Sequence, residues 1–273
     1  MTVSHQHSWR LDDMTTERAG QALRDATVAL LPVGATEQHG PNLATGVDWR
    51  IAERLASRIA EAVAPIAVVV PPLPFGLSGH HLDFPGTLHV SASTFMAVYK
   101  DVITSLRRHG VDRVVFVNGH RGNENVLGVL VGELTYDLGV EAASSFWMTQ
   151  AADVIAHHRI SERWGHGCEI ETSLAMALDE SLVAETLEPG DHIEDYGAYE
   201  DNYRPHALTT ARGFASRTRN GVFGDARAAT PEIGAEIART VVDRTAAFVR
   251  DLAAREPRTA PADDPTYLPR AEE

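Results

Sequence analysis

The chain has 273 residues, 44% of them hydrophobic and 23% charged, enough apolar material for one sizeable core beneath a soluble surface. Thirty-eight acidic against 24 basic side chains give a formal net charge of −14, which with no local basic patch argues against a nucleic-acid partner. No apolar run approaches the ~20 residues that span a bilayer, residues 1–13 have no apolar signal-peptide core, and the single cysteine, Cys168, cannot form an internal disulfide, so a cytoplasmic protein with no membrane partner is expected.

In chain order, a buried strand is expected at residues 27–33 (TVALLPV), followed by a helix at 48–62 rich in Ala, Arg and Glu. A second strand falls at 66–70 (IAVVV), with Pro65 before it and Pro71 and Pro72 after it. The stretch 94–108 places Phe95, Val98, Val102 and Leu106 on one helical face and is stopped by Gly110. A third strand is expected at 113–117 (RVVFV), a helix at 123–138 leading into Gly139, and a weaker fourth strand at 142–148 (AASSFWM). Residues 185–225, rich in Gly, Asp, Tyr and Arg, read as a long excursion at the surface or at a subunit contact. Thr230 followed by Pro231 is a helix start, a capping hydroxyl before proline at the first helical position, and the helix beyond it stacks Ile233, Ile237, Val241, Phe248 and Leu252. Short non-alternating strands separated by helices define a layered α/β fold with a mostly parallel sheet. One domain over residues 1–254 is expected, with the Pro-rich stretch 255–273 as a disordered or draping tail.

Four polar clusters fall after strands or in nearby loops, where parallel sheets bind ligands. In LPVGATEQHG (31–40), Glu37 and His39 are two apart and point the same way if the segment is extended; Asp48 follows eleven residues after Glu37. Two carboxylates and an imidazole suit zinc, manganese or iron, although a capping Asp48, an ion-paired Glu37 and a surface His39 would serve structure equally. In VNGHRGN (117–123) a strand runs into Asn118, Gly119 and His120. In HGCEIETS (166–173), Glu169 and Glu171 flank an apolar residue near a helix start, beside His166. These carboxylates would raise the pKa of Cys168, which argues against a nucleophilic thiol. In SGHHLDFPGT (78–87), adjacent His80 and His81 point in different directions in most conformations, so they do not suit a single ion; the loop is either structural or faces substrate.

Together, in this order and spacing, and with GVFGDARAATPEIG at 221–234, these motifs resemble the creatininase family. The resemblance covers roughly residues 10–253. It implies a three-layer α/β/α sandwich and an amidohydrolase with two divalent ions (Zn, Mn or Fe). Carried over, Glu37 and His120 hold one ion, His39 holds the other and Asp48 bridges them. The family's namesake takes its last ligand from a Glu two residues after the NGH histidine, where this chain has Gly122. By motif the nearest candidates for that ligand are Glu171 and Glu169; the resemblance favours Glu171 in the ligand set, with Glu169 as proton shuttle and His166 at the substrate, and Ser78, His81 and Arg121 as further substrate-binding candidates. The namesake's tryptophan four residues before that histidine is Glu162 here, which argues against creatinine itself. The expected substrate is a small cyclic or linear amide. The alternatives are a peptidase of the mycofactocin-precursor type and a non-catalytic assembly subunit; the family also suggests a homo-oligomer, often a hexamer.

Overall fold

The computed structural model describes residues 9–158, 161–193 and 212–256. Four parallel strands, β1 (Val28–Val33), β2 (Ala67–Val69), β3 (Arg113–Asn118) and β4 (Glu141–Phe146), form one sheet in the order β2-β1-β3-β4. Around it stand α1 (Thr16–Asp25), α2 (Val47–Val63), α3 (Ala92–Arg107), α4 (Glu124–Tyr136), the short α5 (Trp147–Gln150) and α6 (Ala152–His158), α7 (Glu169–Leu178) and α8 (Pro231–Ala254).

β1 and β3 are buried at every position, and alternate residues of each strand enter opposite cores. Val28, Leu30, Val115 and Val117 join Ile51, Leu55 and Ile59 of α2, Leu174 of α7 and Ile237 and Val241 of α8. Ala29, Leu31, Val114 and Phe116 join Phe95, Tyr99 and Ile103 of α3 and Leu127, Leu130 and Leu134 of α4. Helices thus cover both faces, giving the expected three layers. Buried Arg113 staples the layers at one end, through Glu141 Oε2 at 2.6 Å and the carbonyls of Ala253 and Arg255 at 3.0 and 2.6 Å.

Several expectations need correction. The buried face of α3 is Phe95, Tyr99, Ile103 and Leu106; Val98 is 36% exposed, because packing selects the positions one residue further round. On α8, Phe248 is 37% exposed while Thr245 and Val249 are buried. Helix α1 carries no sequence expectation, and none of its residues is fully buried. The excursion 185–225 is not merely superficial: bridges Pro189–Asp225 and His166–Phe223 tie it to the body, and Phe214 is buried. Its middle, 194–211, and most of the expected tail lie outside the described residues.

Candidate metal centre

From β1 the chain crosses to β2 on one side, and later to β3 on the other. The crevice at this reversal, beyond the carboxyl ends of β1 and β3, is where open parallel sheets place ligands. It receives Glu37 and His39 from the segment after β1, and His120 from the turn after β3. Asp48 enters from the first turn of α2. That helix can press on the strand ends because a Cβ on Gly34 would collide with the backbone of Trp49, and one on Gly119 with the carbonyl of Asp48. Asn118 braces the His120 turn, accepting from His120 N at 3.0 Å and donating to its carbonyl at 2.7 Å. Asn123 ties the same turn to Gly34 O at 3.0 Å and Leu77 N at 3.0 Å.

Glu37, His39, Asp48 and His120 are all buried, each 4% exposed or less. His120 Nδ1 lies 3.1 Å from both Glu37 Oε1 and Asp48 Oδ2, and His39 Nε2 lies 3.2 Å from Asp48 Oδ1. Asp48 therefore reaches one imidazole with each oxygen. The other nitrogen of each ring donates to a main-chain carbonyl, His120 Nε2 to Leu77 O at 3.2 Å and His39 Nδ1 to Glu37 O at 3.1 Å. This fixes inward-facing nitrogens as the ones free of a structural proton, the arrangement that prepares an imidazole as a metal ligand. Glu37 Oε2 is buried with no partner, and His39 Nε2 and Asp48 Oδ2 are buried without a well-formed hydrogen bond, meeting only the Asp48 carboxylate and the His120 ring, respectively, inside the cluster. Such concentrated unsatisfied polarity is costly unless a cation answers it, and two carboxylates with two imidazoles suit a divalent transition ion.

Glu171 and His166 stand on the far side of His39; ligand atoms of these three lie within 4.8 Å of one another, as do those of Glu37, His39 and Asp48. Glu171 Oε2 accepts from Gly167 N at 2.6 Å. In the ion-free site, burial pushes the Glu171 carboxyl up to about 7 despite His39 nearby. Burial lowers the His39 pKa, but Asp48, Glu171 and Glu37 outweigh it and hold the ring at about 9. Burial likewise opposes charge on His120, yet Glu37 and Asp48 keep its pKa well above normal. His166 falls to about 3 through burial and the nearby His39.

Glu169 does not join this cluster. Its carboxylate accepts from Ser161 N at 2.9 Å, Ser161 Oγ at 3.1 Å and Asp225 N at 3.0 Å. It ties the loops around residues 161 and 225 and is not among the residues lining the cavity over the cluster. Ser78 is fully buried and off the cavity wall. Burial, then Glu171 and Glu169, push the Cys168 thiol far up, as an inert thiol requires. Gly122 cannot be replaced by a ligand in place, since a Cβ there would collide with His120 Nε2.

A cavity of about 670 Å³ opens over the cluster, with Glu37, Asp48, His120, His166 and Glu171 on its wall. Several residues on or beside this wall carry no sequence assignment to a site role. His80 faces His120 with ring centroids 5.8 Å apart, and with Glu37 and His120 it forms another group of clustered ligand atoms. Phe214 packs on His81 at 4.4 Å and His166 at 4.8 Å. Arg217 lies over Phe214 at 5.7 Å and lines the cavity with Arg121 and Arg212. Gln38 contacts both His81 and His166. His80 and Gln38 sit inside the recognised motifs; Phe214 and Arg217 come from the excursion and have no local signal.

The creatininase family model, described as creatinine amidohydrolase, matches residues 12–249. The chain belongs to the creatininase family of carbon–nitrogen hydrolases. Among relatives, the mycofactocin precursor peptide peptidase of Mycolicibacterium smegmatis is 31% identical over 249 residues, 88% of this chain and 91% of that one. The creatinine amidohydrolase of Pseudomonas putida is 34% identical over 176 residues, 57% of this chain and 66% of that one. A solved mutant creatininase of the Zn-Zn type superposes with a TM-score of 0.73 at 26% identity, covering 92% of this chain and 100% of that one.

Proposed function

We propose that the protein is a metal-dependent amidohydrolase whose Glu37, Asp48 and His120 hold one divalent ion and whose His39, Asp48 and Glu171 hold a second. The observation that carries this reading is Asp48, set between two imidazoles whose outer nitrogens are tied to carbonyls, beside the buried and unpartnered Glu37 Oε2. A structural relative of the Zn-Zn type supports the pair of ions. Divalent ions in such a site acidify a water and polarise an amide carbonyl. The chain's own work is to orient the amide and the water. His166 Nε2 donates to Gln38 O at 2.6 Å, so its Nδ1 is bare toward the cavity. That atom, on a ring that burial and His39 keep neutral, is placed to accept a hydrogen bond from the attacking water and so orient it.

For the substrate, a specific observation favours a second reading beside the small amide. Arg121, Arg212 and Arg217 share the cavity wall with Glu124, which pairs with Arg121 at 3.6 Å, and bound divalent ions would offset the charge of Glu37, Asp48 and Glu171. The loaded cavity would then be cationic and suited to an amide bearing a carboxylate, such as a peptide end. The peptidase relative points the same way. A panel pairing neutral lactams and formamides with peptides ending in a free or amidated carboxyl separates the readings: turnover confined to free-carboxyl peptides supports the peptidase, and equal turnover of amidated peptides removes the role given to the arginines. The family likeness and exposed Leu82 and Leu88 beside the 84–87 turn support a homo-oligomer, which sedimentation would test.

A further inference from the structure

Four buried imidazoles, His39, His81, His120 and His166, converge on Glu37 and Asp48, and three have an outer nitrogen that donates to a main-chain carbonyl. His81 is the exception. Its Nδ1 lies 2.9 Å from Gln38 Nε2. The orientation of that amide follows from groups whose chemistry is unambiguous: Gln38 Oε1 accepts from Gly40 N at 2.8 Å, and Gln38 Nε2 donates to Gly221 O at 3.1 Å. The nitrogen facing His81 is therefore an N–H donor, and His81 Nδ1 must be the acceptor. The proton of neutral His81 then sits on Nε2, the atom pointing at Glu37 Oε1 from 3.6 Å.

We infer that Gln38 is a positioning residue that presets the protons of the site, its side chain making His81 an Nε2–H donor and its carbonyl leaving His166 a bare Nδ1 acceptor. The two rings stack with centroids 4.3 Å apart and both face Glu37 Oε1, with Phe214 packed against both. One donor and one acceptor thus address the same space. His81 is excluded from the metal shell despite its position, since a ligand needs a bare nitrogen. Its N–H is instead available to the oxygen on which charge develops when an amide carbonyl is attacked, and a fixed donor costs no reorganisation at that moment. This role rests on the amidohydrolase reading, whereas the tautomer does not.

Nitrogen-15 NMR of the zinc-loaded protein tests the tautomer directly. His81 should show a pyridine-like Nδ1 and a pyrrole-like Nε2, while His39 and His120 show zinc-shifted inner nitrogens. Gln38→Met should keep the zinc content, replace the single His81 tautomer by a mixture, and lower kcat on the best panel amide about 10²-fold at nearly constant KM. If Gln38→Met does not fold, the wild-type spectrum still decides the tautomer, and His81→Phe should show the same kcat loss with zinc retained. A proton on Nδ1, a zinc shift at Nε2, or an unchanged kcat in either variant would overturn the inference. A protein that takes up no zinc, manganese or iron would overturn the metal reading instead.

Discussion

Glu169 and Glu171 are two residues apart on the first turn of α7, yet their surroundings give them different work. Glu171 reaches the cluster, whereas Glu169 holds two loops through three accepted hydrogen bonds. Glu171→Gln is expected to lose one metal equivalent along with activity. Glu169→Gln should keep the ions and instead cost about 1–3 kcal/mol of stability, because a fully buried acceptor is left mismatched to its donors; zinc titration and denaturant melts of the two variants separate the cases. Metal loss at Glu169 with retention at Glu171 would reverse the assignment. The motif spacing made this pair of glutamates visible in the sequence. It could not say which carboxylate points inward, since that depends on donors from residues 161 and 225, remote along the chain.

At the scale of elements, the site depends on the first turn of α2 abutting the ends of β1 and β3. Gly119→Ala places a methyl against the carbonyl of Asp48, a backbone atom that can move only with its helix. Overpacking there is expected to cost about 1–3 kcal/mol and to weaken metal binding by displacing Asp48; a variant with unchanged melting and zinc content would refute this dependence. The strands and α2, α3, α4 and α8 were legible because apolar periodicity and capping residues are local signals. Their inner faces were less so: Val98 and Phe248 look buried by periodicity but lie outward, since the neighbouring helix decides which stripe is covered. Phe214 and Arg217 were invisible for a related reason. Nothing in residues 212–217 announces that the chain folds back over His81 and His166. If Arg217 recognises a substrate carboxylate, Arg217→Gln should raise KM for free-carboxyl peptides and leave it unchanged for amidated ones; equal effects on both would deny that role.

For the whole molecule, the buried cluster links folding, protons and metal. In the ion-free protein His39 holds its proton up to about pH 9, and His120 also well above the ordinary range. Both pKa values are raised by folding, so their contribution to stability is complete below about 6.5 and is lost as pH rises through the folded values. Glu171, raised to about 7, loses its contribution between roughly pH 4.5 and 7. His80, His81 and His166 are depressed mainly by burial, and above pH 6.5 they have no further effect in this direction. The Tm of the chelated protein is therefore expected to fall between pH 6.5 and 9, while the metal-loaded protein, with ions in place of those protons, should fall less. Parallel curves for the two forms would contradict this linkage. The most direct test of the account is elemental analysis of the purified chain after loading with zinc, manganese or iron. Two divalent ions per wild-type chain, one in Glu171→Gln and the largest loss in Asp48→Asn is the predicted result; a wild-type chain that binds none of the three metals would contradict it.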